Sequence, residues 1–323
     1  MRVSRSVASA AIVFVVVALA GCSGGASKAL VTPTASGTPT ASTPTAAATA
    51  SAFPLTLTDS GGAAVTLKAP AKAIVSHSPG ATEILFAIGA GSQVIAADEF
   101  SDFPAAAKAL KKVKYTDPSP EAEVALQPDL VILATNQKAV IEPFRRLGLP
   151  VFYNQEPDSL EGVIANVRLL GRATGRTAEA ETLATQMKAR IDAVTSKLTD
   201  VQQGPKVFYE LSDTLFTAAP NTFIGGMLTA LKARNIAQGS ASPFPQLTAE
   251  AVIAGAPEVI LLADAKFGGA PEKVKTRPGW SSLPAVKNDR LHPIEADVVN
   301  RPGPRIVEGL EQTAKLLYPE RFR

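Results

Sequence analysis

Glu121-Ala-Glu-Val-Ala-Leu-Gln-Pro-Asp-Leu-Val-Ile-Leu-Ala134 in the first half of the chain lines up, residue for residue, with Glu250-Ala-Val-Ile-Ala-Gly-Ala-Pro-Glu-Val-Ile-Leu-Leu-Ala263 in the second. Each copy reads as a short helix, a proline stop and a strand that is apolar at every position. Ser119 and Thr248 stand two residues before the glutamates, where an N-cap belongs. A strand without polar alternation is buried on both faces, which is the habit of parallel sheets covered by helices. One copy per half therefore predicts two related α/β lobes.

The same pattern spreads outward from both copies. Further apolar runs predict strands at Ala73–Val75, Val94–Ala97 and Val151–Tyr153, then at Val207–Leu211 and Leu291–Ile294. Helical stretches lie between them, at Ala81–Ile88, Lys138–Leu147, Gly225–Lys232 and Pro304–Leu317. Strands alternating with helices argue for mainly parallel sheets. From Asp158 to about Thr199 the spacing is helical throughout: Val163, Val167 and Leu170, then Leu183, Met187, Ile191 and Val194. Gly171 and Gly175 mark a break, and the second helix carries the chain to the other lobe. A long, rigid helical connection predicts a ligand cleft that closes modestly rather than by a wide swing.

The N-terminus carries an export signal. Arg2 and Arg5 precede the apolar run Val7 to Ala20, and Leu19-Ala20-Gly21-Cys22 follows. A charged start, an apolar middle and small residues before a cut describe a secretory signal peptide. Cys22 is the sole cysteine, which excludes an internal disulfide. Its setting resembles the bacterial lipobox, and that resemblance implies a lipidated Cys22 as the mature N-terminus, more than one acyl chain being needed for stable anchoring. Residues 27–52 are almost all Ala, Thr, Ser, Pro and Gly, a composition that cannot offset the entropy of ordering, so a disordered tether is expected. The expected organisation is a signal peptide (1–21), an anchor and tether (22–52), a first lobe (53–157), connecting helices (158–200) and a second lobe (201–323). The formal charge of +3 loses Arg2 and Arg5 on processing, which gives no reason to expect nucleic acid binding.

Five stretches then resemble one family, the substrate-binding lipoproteins of ATP-driven importers for vitamin B12, ferric siderophores and haem. They are Ile74-Val-Ser-His-Ser-Pro-Gly-Ala-Thr-Glu-Ile-Leu-Phe-Ala-Ile-Gly89, Asp98-Glu-Phe-Ser-Asp-Phe-Pro104, Leu126-Gln-Pro-Asp-Leu-Val-Ile-Leu133, Phe244-Pro-Gln-Leu-Thr-Ala-Glu250 and Arg301-Pro-Gly-Pro-Arg-Ile-Val-Glu-Gly-Leu310. The resemblance covers nearly all of 53–323 and implies a monomer with ligand held between the lobes, delivered to a permease dimer and its ATPase subunits. It also implies that Glu121 and Glu250 dock into arginine pockets of the permease. The helix dipole alone would tolerate an acid in a first turn, at about 0.3–1 kcal/mol, but not require one in both lobes.

Ligand-contacting side chains are expected on loops at the C-terminal ends of the strands. These offer His77, Ser78 and Thr82, then Glu99 and Phe100, then Thr135 and Asn136, and Asn154 and Gln155; the facing lobe offers Tyr209, Phe223, Phe244, Asp297 and Arg301. Phe100, Phe244, Asp297 and Arg301 match positions used by the vitamin B12-binding relatives, and Tyr115 falls near another. Ferric siderophores attract clustered arginines, and only Arg301 is expected in the cleft. A corrinoid is therefore the expected ligand, with a ferric siderophore and then haem, through an axial His77, as alternatives. Two histidines far apart are thin material for a metal site, and no cofactor is expected. A hydrolase built on Ser76-His77-Ser78 is the rival of another class. Neighbours on a strand point to opposite faces, and Gly-x-Ser-x-Gly is absent.

Overall fold

The computed structural model describes residues 53–134 and 139–323. Strands β1 (Leu55–Thr58) and β2 (Ala64–Leu67) form an antiparallel hairpin. The first lobe then alternates β3 (Ile74–His77), α1 (Pro79–Ala87), β4 (Val94–Asp98), α2 (Ala105–Lys108), β5 (Lys111–Val113), α3 (Pro120–Val124), β6 (Leu130–Leu133), α4 (Ile141–Arg146) and β7 (Val151–Tyr153). Its five strands are all parallel, in the order β5-β4-β3-β6-β7. Two helices follow, α5 (Leu160–Thr174) and α6 (Thr177–Thr195).

The second lobe runs β8 (Lys206–Glu210), α7 (Phe223–Ala230), β9 (Arg234–Asn235), α8 (Ala249–Gly255), β10 (Val259–Leu262), α9 (Pro271–Lys275), α10 (Pro284–Lys287), β11 (Leu291–Pro293), α11 (Ala296–Val299) and α12 (Ile306–Leu317). Its four strands are parallel, in the order β11-β10-β8-β9. All seven strands expected from apolar runs are present. The structure adds the hairpin, the edge strand β5, whose Lys-Lys-Val is too charged to read as a strand, and the two-residue β9.

Gly175 ends α5 in the left-handed region (φ 72°), and its N–H bonds back to the last turn. Gly171 answers a different need. A Cβ there would collide with the Ala180 Cβ, so glycine lets α5 and α6 lie close together. α5 packs on α1 of the first lobe and α6 on α12 of the second. Ile74, Leu130, Val163, Met187, Val207 and Leu310 belong to one continuous apolar core. Each such buried side chain contributes about 1.5–3 kcal/mol, so the two helices join the lobes through their cores rather than through a loop.

Candidate functional site

The ends of β3, β4, β6 and β7 supply one wall of a cleft. Segments 220–223, 243–244 and 300–302 supply the other. A cavity of about 260 Å3 is lined by Ser78, Gly80, Phe100, Tyr115, Glu156 and Arg301, among others. A second, of about 100 Å3, is lined by Glu156, Asn221, Phe223 and Phe244. Glu156 stands on the wall of both. Phe100 is 52% exposed and meets Tyr115 edge-on, with ring centroids 5.5 Å apart at 84°. Glu99 fixes this pair, its carboxylate accepting from the Tyr115 backbone N–H at 2.7 Å. Burial, with the charges of Glu156 and Asp98, pushes the Tyr115 phenol up to about 12. Burial also pushes the Glu156 carboxyl up.

Beside this cavity the lobes are tied together. Arg301 donates to Asp297 at 2.8 Å and, across the cleft, to Asp102 at 2.6 Å. Arg305 grips Glu83 of α1, with Nε 3.0 Å from Oε2, and its guanidinium lies 3.9 Å from the centre of the Phe103 ring. A Cβ on Gly80 would sit 2.9 Å from the Pro302 carbonyl oxygen, so glycine admits the opposing backbone. Burial pushes the Glu83 carboxyl up, although Arg305 and Arg301 draw it the other way. At Asp102 the balance is reversed: burial raises it, but the hydrogen bond and charge of Arg301 hold it below the ordinary carboxylate range. The Ser-Pro-Gly-Ala-Thr-Glu and Arg-Pro-Gly-Pro-Arg stretches thus meet face to face.

Phe100, Tyr115, Phe244 and Arg301 reach the cleft as expected, Glu99 supports its rim, and half-exposed Asp297 is engaged by Arg301. Three expected residues do not reach it. β3 runs on through His77 instead of ending at Val75, so the ring is carried inside. There Nε2 lies 2.8 Å from Glu123 Oε1 and Nδ1 lies 3.2 Å from the Lys114 carbonyl. His77 is therefore placed for no axial bond in the cleft. Thr82 is buried in α1, donating to Ser76 at 2.9 Å and accepting from Ser101 at 3.0 Å. Tyr209 lies on a strand covered on both faces, and its hydroxyl donates to Asn300, which does line the cavity. Asn136, Thr135, Cys22, the signal peptide and the tether lie outside the described residues.

Ser76 donates to the Ser78 carbonyl rather than to His77, so no nucleophile–base pair forms there. Among the described residues no three His, Cys, Asp or Glu side chains are grouped to hold a metal, and no helix is long and apolar enough to cross a membrane. Reasoning from sequence missed Glu156, one position past the loop residues Asn154 and Gln155. It also missed the Glu83–Arg305 tie, which spans 222 positions.

Glu121 and Glu250 are both exposed in first turns. Ser119 accepts from the Ala122 N–H at 3.4 Å, and Thr248 from the Ala251 N–H at 3.1 Å. Backbone and Thr248 hydrogen bonds hold the Glu250 carboxyl below its usual range. α3 and α8 each run back along the parallel sheet before entering a strand. Their first turns accordingly stand at the strand C-terminal edge, on the side where the cleft opens.

The profile of the periplasmic binding protein family matches residues 74–298. The chain is 30% identical over 279 residues to the uncharacterised ABC transporter substrate-binding lipoprotein YvrC of Bacillus subtilis, covering 84% of this chain and 88% of the relative. It is also 30% identical over 255 residues to the vitamin B12-binding protein of Vibrio vulnificus, covering 76% and 90%. The apo structure of the periplasmic haem-binding protein RhuT from Roseiflexus sp. RS-1 superposes with a TM-score of 0.69 at 26% identity, covering 77% of this chain and 99% of that one.

Proposed function

We propose a ligand and a delivery route from one premise: the chain belongs to the periplasmic binding protein family. It is an extracytoplasmic solute-binding protein of an ABC importer and not an enzyme. The ligand we assign to the cleft is a corrinoid, with cobalamin the first candidate. The observation that carries this reading is the state of the arginines. Arg301 is occupied by Asp297 and Asp102, and Arg305 by Glu83, so neither guanidinium is spare for the carboxylates of haem or of an anionic siderophore. What faces the cavities is aromatic, Phe100, Tyr115 and Phe244, beside the carboxyl of Glu156. Broad apolar contact with a few orienting polar groups suits a large ligand with little net charge. The vitamin B12-binding relative agrees with this choice.

In this reading lipidated Cys22 holds the protein at the outer face of the cytoplasmic membrane, on the periplasmic side or the cell surface. Glu121 and Glu250 then dock on the permease dimer, whose ATPase subunits drive import. Calorimetric titration of the purified protein with cyanocobalamin, hemin and ferric siderophores tests the ligand. Tight one-to-one cobalamin binding is expected, weakened about tenfold or more by Phe100→Ala or Phe244→Ala, in line with the loss of a buried aromatic contact. Tight hemin or siderophore binding without cobalamin binding would replace the ligand and leave the importer role in place.

A further inference from the structure

Charge is unevenly shared on the walls of the cleft. Among the described residues that line its two cavities, only Glu156 and Arg301 carry a charge. Arg301 meets Asp102 at 2.6 Å and Asp297 at 2.8 Å, so one guanidinium stands against two carboxylates. Beside them Arg305 and Glu83 cancel. Glu99 adds a further acid behind the Phe100–Tyr115 pair. The balance around the cleft is therefore negative before Glu156 is counted.

Glu156 is the place where a ligand meets that balance. It follows the end of β7 and precedes the Ser159 cap of α5, on the stretch that leaves the first lobe. It shares one cavity with Asn300 and Arg301, and the other with Asn221 and Phe223, all from the second lobe. A ligand held between the lobes passes its carboxyl whichever cavity it fills. Burial pushes that carboxyl up, because the charged form loses water. A positive charge brought in by a ligand offsets this loss, and a negative one adds to it. Both effects are stronger in a partly buried site than in water. Arg301, already outnumbered by acids, offers an anion little in return.

We infer that Glu156 sets the charge specificity of the cleft, favouring a neutral or positively charged corrinoid and turning away anionic chelates. The inference rests on the corrinoid reading above. The test compares cyanocobalamin with aquacobalamin, which differ only in an axial cyanide or water and so by one unit of positive charge. Calorimetry at neutral pH and low salt gives both affinities for the wild-type protein, Glu156→Gln and Glu156→Asp. The ratio of the two affinities should shift toward cyanocobalamin by about fivefold or more in Glu156→Gln, while Glu156→Asp keeps the wild-type ratio. Cyanocobalamin affinity itself should change by less than about twofold in Glu156→Gln. If both ligands bind and the ratio is the same in all three proteins, the corrinoid reading stands and the role of Glu156 is overturned. An equal loss for both ligands in Glu156→Gln would also overturn it, since the carboxyl would then serve shape or hydrogen bonding rather than charge. If neither corrinoid binds the wild-type protein, the ligand reading falls, and the charge specificity with it.

Discussion

The helix–proline–strand unit of α3 and β6 and that of α8 and β10 share a backbone plan but are mounted on their lobes by different chemistry. In the first sheet β3 pairs with β6, His77 opposite Leu133; in the second, β8 pairs with β10, Glu210 opposite Leu262. His77 and Glu210 therefore hold equivalent places, each a fully buried polar side chain at the cleft end of a central strand. His77 takes its partner from α3 of the repeated unit itself, at Glu123. The matching position in α8 is Val252, which packs with Phe208 and Trp280 in an apolar cluster. Glu210 reaches instead to Arg277, through two hydrogen bonds of 2.6 Å, and that guanidinium lies 4.5 Å from the centre of the Trp280 ring. The plan fixes where a buried polar group falls. It leaves the sign of that group, and the element that answers it, free to vary.

If both helices present equivalent docking acids despite these different mounts, Glu121→Ala with Glu250→Ala should abolish uptake into vesicles containing the importer. Each single variant should lose a comparable share, while ligand affinity in titration stays at the wild-type value. A double variant that no longer binds ligand would break the comparison, because the glutamates would then serve the cleft. The mounts themselves should differ in cost. Arg277→Met strands the buried Glu210 charge and should destabilise by about 3–5 kcal/mol. Glu123→Val copies the second lobe onto the first and should cost about 1–3 kcal/mol, the penalty for leaving one buried side chain, His77, without its partner rather than for breaking a buried, doubly hydrogen-bonded ion pair. Denaturant unfolding of the two variants measures this order, and its reversal would mean that the apolar mount is the weaker.

A smaller effect belongs to Asp264, whose buried carboxyl lies beside that of Glu210. Burial pushes its carboxyl up. A raised native value gives stability that is complete below the ordinary Asp value of about 3.9 and is lost as pH rises through the raised one. Thermal midpoints followed upward from that pH should fall in the wild type relative to Asp264→Asn. Parallel curves would show that Asp264 does not titrate in this window.

Much of this was legible because strand and helix periods are local. The α3 and α8 units, their N-caps and the seven apolar strands follow from short runs of residues, and Phe100 and Phe244 from the motifs that contain them. The failures have equally local causes. Setting the end of β3 at Val75 left His77 on a loop, whereas the strand runs on two residues and takes the ring indoors. Tyr209 suffered likewise, since a doubly covered strand gives a tyrosine no open face. The hairpin of β1 and β2 does alternate, with Leu57, Val65 and Leu67 buried, and a period-two reading of Leu55–Leu67 would have found it. Glu156 and the Glu83–Arg305 pair carry no such local signal, for their roles arise only when the lobes are brought together.

The contact of Gly80 with Pro302, backed by Glu83 and Arg305, has a consequence for recombination. A chimera that took one lobe from a relative would inherit half of this joint, and any side chain at position 80 would press on the borrowed backbone. The crossover that keeps the lobes at their native angle is one in which residues 78–83 and 301–305 travel together, although they lie at opposite ends of the folded chain.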